Sequence, residues 1–274
     1  MEITWIIGGD RRQEYLTASL RRRGWTVQHS VTMMDDDFLN RVTRVILPYP
    51  ATRDGAFVSN TLGNPKAFSF AELLSKLPNG TCLLGGAIPS AWREEAEARG
   101  LSCLDYSTDA LQWRNACPSA EGAIRLCMEA LPVTVFGTRL GVLGFGRIGS
   151  LLTEKLTALG AKVTVYARKE ESRVRASFAG AEVRTPEELP NMASDTRMLF
   201  CTVPHRILPR EILQTLQKTC ILMELASAPG AFDPDEAKEL GFSVISAPGI
   251  PGRFYPESAG ELLAQTIADF SYDP

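Results

Sequence analysis

Residues 140–149, Leu-Gly-Val-Leu-Gly-Phe-Gly-Arg-Ile-Gly, constrain the fold more than any other stretch of the chain. Gly144, Gly146 and Gly149 stand at the spacing of a dinucleotide-binding turn. The first permits a tight turn, the second lets backbone approach a pyrophosphate, and the third lets the following helix pack closely on its strand. Phe145, Arg147 and Ile148 complete the turn. The flanks agree with this reading: residues 138–143 predict a short buried strand, 147–159 a helix closed by Gly160, and 162–166 a second apolar strand at the distance a βαβ unit requires. An ordinary strand-turn-helix with incidental glycines is the alternative, and the flanks disfavour it.

The end of the second strand distinguishes between nucleotides. A carboxylate normally stands about twenty residues past the glycines, where it binds the ribose 2′-hydroxyl of NAD. Here the position is held by Ala167-Arg168-Lys169. A carboxylate repels a 2′-phosphate, whereas a guanidinium grips one through charge-assisted hydrogen bonds. Cations also oppose the positive end of the helix dipole that follows, so their presence implies an anion to meet them. The expected cofactor is NADP(H).

The chain has 274 residues, 45% of them hydrophobic and 22% charged, with a formal net charge of −3. That length favours two domains, and the charge gives no general pull towards nucleic acid or anionic lipid. No apolar run reaches the roughly 20 residues of a membrane span, and the N-terminus runs straight into a strand pattern without a signal peptide. The six cysteines form no Cys-x-x-Cys pair. A reducing, cytoplasmic setting is expected, with neither a disulfide framework nor a metal site.

Strands at 2–7, 25–29, 44–47, 81–84 and 101–105 alternate with helices at 11–23, 70–77 and 90–99. The second half repeats the theme, with strands near 197–202, 219–224 and 242–246. This alternation predicts an α/β fold of two doubly wound parallel-sheet domains, the second a Rossmann NADP-binding domain. A helix over 118–131, with Pro118 in its first turn, bridges them. The expected division is 1–130 for an α/β substrate and catalytic domain and 131–252 for the nucleotide domain. Residues 253–274 carry a C-terminal helix that, by analogy with two-domain enzymes, returns to the first domain.

Candidate chemistry gathers in four loops. Gly8-Gly9-Asp10-Arg11-Arg12-Gln13 follows the first strand, where ligands collect in parallel sheets; Asp10, Arg12 and Gln13 are candidate substrate ligands, or else a helix cap and solvated residues. The polar segment before the bridging helix contains Arg114, which can pair with a carboxylate. In the same segment Asn115 and Ser119 can hydrogen-bond, and Glu121 can orient them or move a proton. The plainer account makes Asn115 a turn residue and Glu121 a first-turn carboxylate. Thr202, Val203 and Pro204 follow a strand where the chain passes beside a nicotinamide. Residues 247–253 form a proline-stiffened loop. The chain has only two histidines, His29 and His205; this scarcity points to a reaction that needs little acid–base help.

Together these segments resemble the dipicolinate synthase A-subunit family, sporulation enzymes of spore-forming Firmicutes. The likeness spans nearly the whole chain. It rests on Gly8-Gly9-Asp10-x-Arg12-Gln13, Asn115-x-x-Pro118-Ser119-x-Glu121-Gly122 and Gly144-Phe145-Gly146-Arg147-x-Gly149. Ala167-Arg168, Leu225-Ala226-Ser227-x-Pro229-Gly230 with Asp233, and Ala247-Pro248-Gly249-x-Pro251-Gly252 with Pro256 and Ala259-Gly260 extend it. Glu224, Ala231 and Cys201 depart from the family's usual Asp, Gly and Asn.

The resemblance implies NADP-linked oxidation of a dihydrodipicolinate-type substrate to dipicolinate, jointly with a smaller, flavoprotein-like B subunit. Homo- and hetero-oligomers follow from the same resemblance. Asn115, Ser119 and Glu121 then become catalytic candidates. Two alternatives remain open. A 2-hydroxyacid-dehydrogenase-like oxidoreductase would be expected to carry a histidine within 246–260, which has none. A non-catalytic NADP-binding regulatory protein is the other.

Overall fold

Strand β1 (Thr4–Ile7) has all four side chains buried, the condition of a parallel strand covered on both faces. The structure, a computed structural model, describes residues 2–270. Met1 of the first expected domain and residues 271–274 of the C-terminal segment lie outside the described residues. After β1 the chain turns through Gly8 and Gly9, both at positive φ (57° and 84°), into α1 (Arg12–Arg22). There follow β2 (Val27–Ser30), the single turn α2 (Asp36–Leu39), β3 (Arg44–Ile46), α3 (Phe70–Lys76), β4 (Cys82–Gly85), α4 (Ser90–Ala98) and β5 (Ser102–Asp105). These strands form a parallel sheet in the order β2-β1-β3-β4-β5. Alternate residues of β1 serve opposite layers: Trp5 and Ile7 join a core with Phe68 and Phe70, while Ile6 joins Leu16, Leu20 and Ile267.

The next element corrects the sequence reading. Residues 113–117 are not a loop; α5 runs unbroken over Asp109–Ala130 with Pro118 inside it. Thr108 starts the helix by accepting from the Leu111 amide at 3.2 Å, a capping signal ten residues ahead of the proline. An interior proline costs about 3 kcal/mol. Burial of Ala116, Ala120, Ala123, Ile124 and Cys127 along the same helix offsets it.

A second sheet is built from β6 (Arg139–Leu143), β7 (Lys162–Tyr166), β8 (Glu182–Arg184), β9 (Met198–Cys201), β10 (Ile221–Glu224) and β11 (Val244–Ser246). Helices α6 (Arg147–Ala158), α7 (Glu170–Phe178), α8 (Arg210–Thr215) and α9 (Pro234–Glu239) lie between them. The order is β11-β10-β9-β6-β7-β8, which counted from its own first strand is 6-5-4-1-2-3, the doubly wound dinucleotide-binding order. Strand β8, too short and polar to announce itself, extends one edge.

Residues 247–253 are not wholly loop, since Ile250–Phe254 forms the short helix α10. Helix α11 (Pro256–Phe270) packs on α1. A Cβ at Gly260 would lie 2.7 Å from the Arg12 carbonyl oxygen, so only glycine allows this approach. Ser19 Oγ donates to Glu261 (2.6 Å), Arg22 pairs with the same carboxylate, and Arg23 reaches Gln265 at 2.8 Å. The chain divides into two units, Met1–Asn115 with Pro251–Pro274, and Ala116–Ile250. The division falls inside α5, upstream of the 130/131 boundary suggested by sequence.

Candidate functional site

Each sheet has a point where strand order reverses, and ligands in such sheets collect outside the carboxyl ends of the strands there. In the second unit that point lies between β6 and β9, and the glycine turn occupies it. Gly144 has φ 97°, and a Cβ on it would lie 2.6 Å from both Thr202 Oγ1 and Val203 Cγ2. Thr202 Oγ1 in turn donates to the Leu143 carbonyl at 3.0 Å. A Cβ on Gly149 would sit 2.2 Å from the Gly144 carbonyl oxygen. Gly146 differs: a Cβ there meets nothing within 4 Å. The flanking glycines are required by the protein itself, whereas the middle one fronts open space at the N-terminus of α6. That combination suits an anion approaching backbone N–H groups. Phe145, Arg147 and Ile148 are half-buried around it, and Pro204 is exposed beyond Val203.

The Gly144 amide donates to the Tyr166 carbonyl at 2.9 Å, which sets the end of β7 beside the turn. Arg168 and Lys169 follow immediately, both exposed. Among the described residues neither side chain is engaged in a hydrogen bond or ion pair. The first acidic residues, Glu170 and Glu171, already belong to the first turn of α7. Among the described residues the loop that follows β7 thus presents two cations and no carboxylate before α7, a donor set that fits an anionic group of a nucleotide.

Glu224 closes this edge of the second unit. It is buried, and its carboxylate accepts from the amides of Ala226 (2.9 Å) and Ala231 (2.6 Å). Burial raises its pKa, against the pull of those amides. It folds the segment after β10 back upon itself, and a Cβ on Gly230 would lie 2.8 Å from its Oε2.

In the first unit the reversal lies between β1 and β3, and it is lined with side chains. Arg12, only 7% exposed, donates from Nε and Nη2 to the two oxygens of Asp10, both at 2.8 Å. Nη2 also reaches the Tyr49 carbonyl beyond β3 at 2.7 Å. Burial opposes ionisation of Asp10, but the hydrogen bonds and charge of Arg12 outweigh it and hold the carboxyl below its ordinary range. Gly252 admits this carboxylate, since a Cβ there would lie 2.5 Å from Asp10 Oδ2. Gln13 accepts from the Asp10 amide at 3.0 Å and packs on Gly9. Asn60 donates from Nδ2 to the Val31 and Asn64 carbonyls (3.3 and 3.0 Å).

These partners fix which way each amide points, and they leave Gln13 Nε2 and Asn60 Oδ1 buried and unbonded among the described residues. An unmet buried polar atom costs about 1–3 kcal/mol, so the pair asks for a ligand or bound water. His29 Nε2 lies 3.1 Å from the Gly8 carbonyl, which bonds one ring nitrogen beside the same turn.

The structure thus brings Asp10, Arg12 and Gln13 together. It adds Tyr49 and Asn60, which the sequence reading missed, and brings in Gly252 of the proline-stiffened loop. Asn60 carries no local signal, because its place depends on a parallel bridge to Gly9.

On α5 the four candidates separate. Asn115 and Ser119, four residues apart, share one face, while Arg114 and Glu121, seven apart, share another. Arg114 is exposed and takes no part in the Asp10–Arg12 cluster. Glu121 Oε1 accepts from Lys155 Nζ at 3.0 Å and from Cys117 Sγ at 3.5 Å. Lys155 lies in the last turn of α6, eight residues and about 12 Å of helix from the turn's N-terminal end. Glu121 is therefore an ion-pair partner of the far end of α6.

A doubly wound unit with this glycine turn, joined to a second parallel α/β unit, defines a dehydrogenase-type, NAD(P)-binding protein. Similar proteins narrow the class. Residues 4–107 match the family model of the dipicolinate synthase A-subunit N-terminal domain. Residues 98–230 match that of the D-isomer specific 2-hydroxyacid dehydrogenase NAD binding domain. The dipicolinate synthase A-subunit of Bacillus subtilis (strain 168) is 28% identical over 278 residues, 96% of this chain and 93% of its own length. The crystal structure of the dipicolinate synthase A-subunit from Bacillus halodurans superposes with a TM-score of 0.86 at 25% identity, covering 100% of this chain and 98% of that one. Apo D-lactate dehydrogenase of Escherichia coli shares the fold alone, with a TM-score of 0.68 at 14% identity over 98% of this chain and 96% of its own. The chain's family resemblance is thus to the dipicolinate synthase A-subunit, over essentially its whole length.

Proposed function

We propose that this chain is an NADP(H)-linked oxidoreductase that oxidises a dihydrodipicolinate-type dicarboxylate to dipicolinate, working with a smaller B subunit in sporulation. The observation that carries the reading is the full-length similarity to the dipicolinate synthase A-subunit. The open Gly146 and the Arg168–Lys169 pair support the cofactor assignment. When bound, the nicotinamide would accept the hydride; aromatisation of the ring releases one proton with it. The chain's own task is mainly positioning, because forming an aromatic ring drives the reaction. Gly144, Phe145, Gly146, Arg147, Ile148 and Gly149 would cradle the pyrophosphate, and Arg168 and Lys169 the 2′-phosphate. Thr202, Val203 and Pro204 would flank the nicotinamide.

In the first unit, Arg12 commits Nε and Nη2 to Asp10 and Tyr49, leaving the Nη1 edge for a substrate carboxylate. Gln13 Nε2 would donate to the same anion. Asp10, held ionised by Arg12, is a weak base, and a strongly driven deprotonation needs no stronger one. Asn115 and Ser119 are the polar pair proposed to touch substrate from α5.

The test follows NADPH formation at its absorbance band, with freshly generated dihydrodipicolinate, with and without the smaller protein. Turnover that is slow alone and rises with the partner is expected. No turnover under either condition, with cofactor bound normally, would favour a regulatory role. The match of residues 98–230 to a 2-hydroxyacid dehydrogenase domain keeps a second reading in view. Brisk oxidation of simple 2-hydroxy acids by this chain alone would establish it instead.

A further inference from the structure

The loop between β7 and α7 carries the two cations that face the expected 2′-phosphate, yet among the described residues no hydrogen bond or ion pair holds their side chains. What is held is the backbone beneath them. Arg173, half-buried on the first turns of α7, turns its guanidinium back towards the loop. Its Nη1 donates to the Ala167 carbonyl at 2.9 Å and to the Arg168 carbonyl at 2.7 Å. On the other side the Ala167 amide is fixed by the Arg184 carbonyl of the neighbouring strand β8 at 3.0 Å. One planar cation thus ties two successive peptide units just where the chain leaves the sheet. Both hydrogens of the one Nη1 nitrogen are used, and their directions are fixed by the planar guanidinium, whereas the donors of an ammonium rotate freely.

We propose that Arg173 is the positioning residue of the 2′-phosphate site. By clamping the Ala167 and Arg168 carbonyls it pre-orders the backbone from which Arg168 projects. Discrimination between phosphorylated and unphosphorylated nucleotide therefore depends on a side chain that need not touch the phosphate. The inference rests on the NADP(H) reading above, and the two can fail separately.

Without the clamp the loop must be ordered at the moment of binding. Freezing the backbone of one residue is equivalent to roughly five- to thirtyfold in affinity. Arg173→Ala should weaken NADPH by about that factor and NADH by less than about twofold, because NADH has no phosphate for the ordered loop to meet. The decisive readout is a double-mutant cycle with Arg168→Ala, using NADPH and NADH affinities measured on the full chain. If Arg173 acts through Arg168, the double variant binds NADPH about as weakly as Arg168→Ala alone. Fully additive losses would mean an independent phosphate contact and would overturn the positioning role. So would equal losses for both nucleotides, or no loss for either. Should Arg173→Ala fail to fold, Arg173→Gln carries the same comparison. If Arg168→Ala itself leaves NADPH binding unchanged, it is the NADP(H) reading that falls.

Discussion

The two reversal points of this molecule are built in opposite ways. In the second unit the site is made by leaving side chains out: Gly144 and Gly149 let backbone close on itself, and Gly146 leaves a void at a helix N-terminus. In the first unit it is made by putting them in: Arg12, Asp10, Gln13 and Asn60 crowd around Gly8 and Gly9, with two amide atoms still unmet. The first design suits a ligand whose invariant part is a pyrophosphate read by backbone. The second suits a small, charged substrate that must be oriented atom by atom. A substitution should therefore reveal which design it touches by whether stability or affinity moves first.

The largest contrast is expected within the glycine turn itself. Gly149→Ala puts a methyl 2.2 Å from a carbonyl oxygen, and it should cost the second unit about 3 kcal/mol or more. Gly146→Ala meets nothing, and Gly146 has an ordinary φ of −84°, so stability should change by less than about 0.5 kcal/mol. Nucleotide affinity should nonetheless fall by at least about tenfold. Chemical denaturation and nucleotide titration of both variants check this. A Gly146→Ala protein that binds normally would break the distinction.

In the first unit the order reverses, with stability moving first. Asp10→Asn strands a buried guanidinium, which should cost about 3 kcal/mol at neutral pH. The pH dependence has a definite sign. Because the folded-state pKa of Asp10 lies below its ordinary 3.8, the native chain binds fewer protons than the unfolded one as pH falls past that value. Its stabilisation is present above pH 3.8 and is lost as pH falls through the lower folded value. The stability gap between wild type and Asp10→Asn should accordingly narrow in acid. A gap independent of pH would mean that the pair is not holding the unit together as described.

The same contrast explains what the sequence displayed. The glycine turn, the strands around it and Arg168–Lys169 are local patterns, and each lands within a residue or two of its place. Helix α5 is foreshortened in the sequence because Pro118 reads as a start; Thr108, ten residues earlier, is the real cap. Asn60 and Tyr49 are invisible there, and so is the partner of Gly252 within its loop, for a different reason. Asn60 reaches its place through a bridge to Gly9, Tyr49 through its carbonyl, and Gly252 by what it lacks. None of these is a residue-type signal at short range. Glu121 shows the converse: a carboxylate in a polar segment reads as a catalytic candidate, while its ion-pair partner Lys155, far along the chain, carries no local signal. A site built by omission leaves glycines in the sequence, whereas one built by long-range side-chain partners leaves ordinary polar residues.

The central claim is that the second unit reads a phosphorylated nicotinamide nucleotide through Arg168. It is tested most directly by the affinities of wild type and Arg168→Ala for NADPH and NADH, measured at one salt concentration. Wild type should prefer NADPH. The variant should lose about tenfold to a hundredfold in NADPH affinity, the worth of one charged hydrogen bond, while NADH binding barely changes. Equal losses for the two nucleotides, or a wild-type preference for NADH, would contradict the account.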